Sequence, residues 1–387
     1  MVDRQPDAAL ETSFANAAQI SVSHCEPWVN RKAPLKALKW MFSQHALLLF
    51  WSQRDVHQWL WGLKFLGQCH DAAFERNVQQ LVALGAYSPE ALKNMVQVTG
   101  TDHHRLECGI APCYTDTKLF DTAGDADALM RKYSVERRVV SIAELLAIEP
   151  AFRQFAHCIA GGTYTASNKS GDAWVLTQAL CRARRRVTVR PHHQRFEQDN
   201  NAIKSIAIKA RKTKTSDING SKNELILAAD ACVVACGSYS APLLRTVGVD
   251  LPIYPGKGYS TTFKLLKPEA APSVSLNNDQ VKCAIGRKGN PLRVAGTIDV
   301  SGYDLTLTMP LARARCALLA RRVEDVLPSV ADTRLESDGV YPASGPACGL
   351  PRPPIFLILA KRLWEVFGST RAMARSAGPT AQAQARH

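Results

Sequence analysis

Apolar positions along the chain follow two periods. Helical spacing runs through residues 34–42 (PLKALKWMF), 58–65 (QWLWGLKF) and 71–100, with Ser88-Pro89-Glu90 as a start signal inside the last. The aromatics of the first two segments read as core. Ser141-Ile142-Ala143-Glu144 is a capping box that opens a short helix ending before Pro150. Residues 173–184 and 312–326 read as further amphipathic helices. Strand patterns appear at 187–190, at 224–227, and as a pair at 282–287 and 292–297. The polar stretch 209–222, with its Asp217-Ile218-Asn219-Gly220 turn, reads as a mobile hairpin tip. The organising stretch is Ala231 to Ala235, small or β-branched and apolar, which predicts a strand buried on both faces. Gly237 follows it, then Ser-Tyr-Ser-Ala-Pro, a helix opening. Strand, glycine and helix start are the geometry that turns backbone N–H groups toward a phosphate or a flavin edge.

Composition narrows the class. A chain of 387 residues, 46% hydrophobic and 21% charged, has room for two domains with real cores. Its formal charge of +14 favours anionic partners. No Lys/Arg stripe interleaves with aromatics, so nucleic acid is not the expected partner. The charge does keep a second class in view, a basic binding protein without catalysis. Eleven cysteines are scattered without a framework, and no secretory signal follows Met1, which predicts free thiols in a reducing compartment. The longest apolar runs, 46–51 and 355–360, are too short to span a bilayer, so the expectation is a cytoplasmic protein, at most peripheral on the membrane. His103, His104, Cys108 and Cys113 match no zinc spacing, and no metal is expected. Val2 to Gln5 read as a strand end, where Asp3 would accept from a ribose hydroxyl. The GxGxxG loop expected roughly 20 residues before such an acid does not occur in the sequence.

The run DRQ…ETSFANAAQIS…PWVNRKAPLKALKWMF resembles the small, catalytic subunit family of bacterial D-amino acid dehydrogenases, within the D-amino acid oxidase-like flavoproteins. The resemblance extends over residues 2–332, although that family usually has glycine where Ala18 stands. It implies an α/β and α+β architecture: a Rossmann-like FAD-binding domain, incomplete, and a substrate domain on a mixed or antiparallel sheet with helices. It divides the chain into 1–33 with 141–248 for FAD and 34–140 with 249–336 for substrate. It places Asp3, Arg4, Ser13, Asn16, Ala17, Gln19, Ala235, Cys236 and Gly237 at the cofactor. A substrate carboxylate calls for Arg or Tyr partners, and the candidates are Arg287, Tyr259 and Arg293, Arg287 first by position. The implied reaction is hydride loss from the α-carbon of a D-amino acid to flavin N5. Hydrolysis of the imino acid gives a 2-oxo acid and ammonia, and the electrons pass to a respiratory acceptor at the inner membrane face. A glycine or sarcosine oxidase is the neighbouring alternative, from which PLKALKWMF and SGYD point away.

After about Ser337 the character changes, and Pro351-Arg352-Pro353-Pro354 breaks regular structure. The family segments GLRPxTP and GHGTLGW are absent here as written. Joining the third base of each codon to the first two of the next lets residues 343–360 encode LRPGLRPATPTNIPYIG. The same shift lets residues 366–379 encode LRLNTGHGTLGWT. Residues 337–387 are therefore expected to be an out-of-frame tail that packs poorly, and the chain as written to be impaired in catalysis.

Overall fold

A computed structural model describes residues 2–3, 5, 7–21, 23, 27, 29–35, 48–133, 135–183, 191–199, 202–210, 224–228, 232–278, 283–304, 309–334 and 343–348. In chain order, α1 (Thr12–Ala15), β1 (Gln19–Ile20), β2 (Leu48–Phe50), α2 (Val56–Leu66), α3 (Asp71–Thr99) and β3 (Ile110–Tyr114) come first. They are followed by α4 (Thr117–Asp121), α5 (Ala123–Lys132), β4 (Arg138–Val140), α6 (Ile142–Ile148), β5 (Gly161–Tyr164), β6 (Lys169–Ser170) and α7 (Ala173–Ala183). Then come β7 (Pro191–Asp199), β8 (Ala202–Ala210), β9 (Glu224–Ala228), α8 (Ser240–Arg245) and β10 (Pro255–Phe263). Last are β11 (Ser275–Asn278), β12 (Cys283–Arg287), β13 (Leu292–Val300), α9 (Met309–Val326) and β14 (Ala343–Cys348).

A nine-stranded sheet carries the molecule, in the order β14-β10-β13-β12-β11-β3-β5-β4, with β2 added alongside β13. Its pairs are antiparallel except β3 with β11 and β2 with β13. The paired strands expected over 282–297 are β12 and β13, in register from Cys283↔Gly296 to Arg287↔Leu292. Strand β5 hydrogen-bonds into this same sheet between β3 and β4. The main core packs Phe263, Leu276, Ile285, Leu292 and Val294 of the strands on Leu319 and Val323 of α9, on Leu327 just after it, and on Leu145 and Phe152. Burying such a set is the dominant stabilising term.

Local chemistry fixes how the helices meet this sheet. Ser141 Oγ accepts from Glu144 N–H while the Glu144 carboxylate takes the Ser141 N–H, so the capping box forms as the sequence predicts. At the far end of α6 the buried Glu149 accepts from the N–H groups of Ala151, Ser273 and Val274 at 3.0, 2.8 and 2.9 Å, and from Ser273 Oγ. One carboxylate thus ties a helix end to the start of β11. Gly161 lies under the Phe120 ring, where a Cβ would stand 2.2 Å from Cζ. Two antiparallel pairings, β7 with β8 and β8 with β9, make a separate three-stranded sheet. Lys209 pairs with Glu224 across the segment expected to be a hairpin tip, most of which is outside the described residues.

Several expectations need correction. Residues 232–236 form no strand, and Val233 is 48% exposed. A doubly buried strand needs a neighbour on each side, and among the described residues none pairs with this run. Ser88-Pro89-Glu90 starts no helix: α3 runs unbroken from Asp71 to Thr99 with Pro89 inside. Ser88 Oγ donates to the carbonyl of Leu84 at 2.8 Å, one turn back, and the residue four before Pro89 is Gly85. The aromatics of 58–65 are only partly core, since Trp59 is half exposed. Of the expected helix 34–42 only Pro34 and Leu35 fall among the described residues, both helical, and the strand at 187–190 falls outside them altogether. At the start of the tail, Ala343–Cys348 pairs with Pro255–Ser260 as an edge strand. Pro346 is tolerable there because an edge strand has one side free of ladder bonds.

Candidate active site

The site assembles around α1 and the turn that follows it. Asn16 Nδ2 donates to Ser13 O at 2.9 Å, and Asn16 Oδ1 accepts from Ala18 N–H at 2.8 Å, folding residues 13–18 onto themselves. This closure puts Ala18 at φ +61, the left-handed region, at a cost of about 1 kcal/mol for a residue with a Cβ. The glycine usual in the resembling family would adopt it without strain. Ala18 O accepts from Gly171 N–H at 2.8 Å, and Gln19 pairs with Ser170 in the β1–β6 ladder. Gln19 Nε2 reaches across to Ser275 Oγ (2.7 Å) and Asn277 Oδ1 (2.8 Å). Ala17 O lies against Gly286, where a Cβ would sit 3.0 Å away. The loop is thereby clamped between the start of α7 and the β11–β12 pair.

Beneath this loop lies a buried charged cluster. Asp172 caps α7, accepting from Trp174 and Val175 N–H at 2.9 and 3.2 Å, and pairs with Lys288 Nζ at 2.9 Å. Both side chains of that ion pair are 6% exposed. Arg293, also buried, donates from Nη1 to Phe14 O at 2.6 Å and lies over the Phe14 ring, 5.6 Å from its centroid. Lys288 approaches the same ring, and Trp174 meets it edge-on. Burial pushes the Lys288 ammonium below its ordinary range while the Asp172 bond pulls it back. Burial likewise lowers Arg293, with Asp172 opposing. One carboxylate faces two cations, and Arg293 Nε has no hydrogen-bond partner among the described residues. Neither ring nitrogen of the buried His103 has one either, and Gly171 packs so closely that a Cβ would be 2.5 Å from its Cδ2.

The residues expected from sequence distribute unevenly. Ser13, Asn16, Ala17 and Gln19 form the loop, and Arg293 joins it through Phe14. Asp3 accepts from Gln5 N–H, and Gln5 Nε2 donates to Glu11 Oε1 just ahead of α1. Arg4 is outside the described residues. Ala235, Cys236 and Gly237 lie on the exposed run before α8, and the traces of α1 and of residues 237–239 both pack on β14. Tyr259 is not brought to this cluster: its hydroxyl donates to Asp299 at 2.8 Å, and Asp299 also pairs with Arg315 at 2.7 Å, all buried. Arg287 is committed to backbone, donating to the carbonyls of Gly289 (2.9 Å) and Pro268 (3.3 Å). Sequence reading missed Asp172, Lys288, Phe14 and Trp174. The one signal for Asp172 was its place as a helix cap before an apolar run.

The profile of the DAO family, FAD dependent oxidoreductase, matches residues 1–381. The chain belongs to this family. A D-amino acid dehydrogenase of Dechloromonas aromatica (strain RCB) is 40% identical over 332 residues, 85% of this chain and 76% of that protein. One from Methylobacterium radiotolerans is 33% identical over 86% of this chain and 76% of its own length. Among solved structures, glycine oxidase from Geobacillus kaustophilus aligns with a TM-score of 0.58 at 17% identity, covering 90% of this chain and 75% of that one. L-proline dehydrogenase from P. horikoshii aligns at 0.54 with 16% identity, covering 72% and 68%. These two establish the fold. As a DAO-family member resembling D-amino acid dehydrogenase, the chain is an FAD-dependent oxidoreductase. Its residues suit that cofactor: Gly237 stands at φ +55 with open space where a Cβ would point, next to small side chains on an exposed backbone run.

Proposed function

We propose that the protein oxidatively deaminates D-amino acids to 2-oxo acids and ammonia, passing electrons to a respiratory acceptor at the cytoplasmic membrane. The observation that carries the substrate assignment is the buried cluster of Asp172, Lys288 and Arg293, which holds one cation in excess beside the loop of α1. A substrate carboxylate restores neutrality there, and the spare Nε of Arg293 is a charge-assisted donor for it. Phe14 and Trp174 wall the cluster against water, which strengthens that pairing. FAD, when bound, supplies the two-electron acceptor, and Ser13, Asn16, Ala17, Gln19, Ala235, Cys236 and Gly237 are the residues proposed to hold it. No side chain is assigned to proton abstraction, because a substrate entering as the free amine needs none.

Dye-linked kinetics with D-alanine test this reading. Arg293→Met is expected to lower kcat/KM by about 100-fold, mostly through KM, the scale of losing a buried ionic partner. An unchanged KM would refute the carboxylate role. Weak retention of FAD is a second part of the proposal, supported by the run 232–235, which joins no sheet among the described residues, and by the strained Ala18. Gel-filtered protein should carry well under one FAD per chain, and a fully loaded, active preparation would refute that part.

A further inference from the structure

Helix α2 is amphipathic with its apolar side outward. The residue of α2 that is buried is Gln58, whose amide donates to the carbonyls of Trp51 (2.9 Å) and Val300 (3.3 Å) and accepts from Gln53 N–H (2.7 Å). Val56, Trp59, Leu60, Leu63 and Leu66 are between 47% and 66% exposed. They recur at i, i+3, i+4, i+7 and i+10, which is a single stripe along a helix. Trp51, 47% exposed, stands just ahead of its first turn.

The stripe is displayed from a fixed backbone. Asp55 caps α2 through His57 N–H and also accepts from the Tyr254 hydroxyl at 2.9 Å. Trp61 packs on Tyr254, and Tyr254 on Tyr303, with ring centroids 5.9 and 6.1 Å apart. Lys64 pairs with Asp250. Cations accompany the apolar face. Exposed Arg54 precedes the helix and Lys64 lies on it. Arg31 pairs with Asp71 just beyond its end, next to exposed Lys32. Asp250 and Asp71 offset Lys64 and Arg31, so among the described residues beside α2 the cations left to meet an anionic surface are Arg54 and Lys32. The whole chain carries +14.

We propose that α2 lies flat in the interface of an anionic lipid bilayer, with Trp59, Leu60, Leu63 and Leu66 among the upper acyl chains and the flanking cations at the headgroups. Tryptophan, leucine and cationic neighbours on one short helix are what such an interface selects. Eleven residues make a rod about 16 Å long, shorter than the hydrocarbon core. Among the described residues no helix is long and apolar enough to cross a membrane. The proposal rests on the reading that electrons leave to a membrane-bound acceptor, since α2 would bring the enzyme to that acceptor.

Vesicle co-sedimentation of the full chain tests it without turnover, so its failure is separate from a failure of the dye-linked assay above. Wild type should sediment with phosphatidylglycerol-rich vesicles and much less with phosphatidylcholine ones. The double variant Leu60→Glu/Leu63→Glu should lower the partition by at least about tenfold. Val98→Glu, an equally drastic change at an 87% exposed position on α3, should leave it unchanged. Circular dichroism of all three checks that each is folded. Equal sedimentation of wild type and the double variant would overturn the proposal, as would equal binding to neutral vesicles. A wild-type dimer that the double variant turns into monomers, with no vesicle binding, would overturn it in favour of a second copy on this face.

Discussion

Two buried charged clusters stand on the same sheet, and they differ in one respect. Around Asp299, one carboxylate meets one guanidinium, Arg315, and one hydroxyl, Tyr259. Around Asp172, one carboxylate meets two cations, Lys288 and Arg293. In the first, a carboxylate is matched by a guanidinium where the sheet meets α9, and the pair stabilises the fold. In the second, among the described residues, two cations meet one carboxylate beneath the α1 loop. Burying an unbalanced charge costs free energy, which a fold tolerates where a ligand supplies the missing partner.

Removing the carboxylate of the balanced cluster should have the largest effect on stability. Asp299→Ala removes the buried carboxylate that Arg315 and Tyr259 share and should cost about 3–5 kcal/mol, read from denaturant unfolding. The affinity for D-alanine in the surviving folded protein should barely move. The converse holds at the other cluster: Arg293→Met should raise KM strongly and cost under about 1.5 kcal/mol of stability, because a volume-matched apolar side chain replaces the excess charge. If the two variants exchanged these signatures, the distinction between the clusters would be lost.

The strut at Glu149 gives an intermediate case. Glu149→Gln keeps one acceptor but faces three N–H groups, and should cost about 1–3 kcal/mol without altering substrate affinity. Alkaline titration separates the clusters in another way. Burial and the Asp299 bond raise the Tyr259 hydroxyl above its ordinary 10.0. The folded state then holds that proton more tightly than the unfolded state. The stabilisation is therefore complete below pH 10 and is lost as pH climbs through the folded value. Tyr259→Phe should flatten the alkaline limb of a stability–pH curve, whereas Arg293→Met should keep the step that Tyr259 contributes to it. The smallest effect is expected at the loop: Ala18→Gly should gain about 1 kcal/mol by relieving the positive φ.

Features set by neighbours in the chain were legible in the sequence. The capping box, the β12–β13 pair and α9 needed only local patterns. Features set by lateral partners were not. Ala231 to Ala235 has the composition of a buried strand, yet a strand exists only where another pairs with it, and no local pattern reports that. From the sequence Arg287 ranks ahead of Arg293 by position, and the structure reverses that order. What separates them is that Arg287 ends β12 beside the carbonyls of Gly289 and Pro268, while Arg293 points beneath Phe14. Asp172 and Lys288 lie far apart in the chain, and only the clamping of the α1 loop between α7 and β12 brings them together. The inverted face of α2 was misread because helical spacing reveals a stripe but not which side of it is covered.

The excess cation is tested most directly by binding of the reaction's product class, which needs no turnover. Pyruvate should raise the Tm of the FAD-loaded wild type, and its neutral amide should not, while Arg293→Met should lose the response to pyruvate. Equal stabilisation of wild type and Arg293→Met by pyruvate would contradict the assignment of Arg293 as the carboxylate partner.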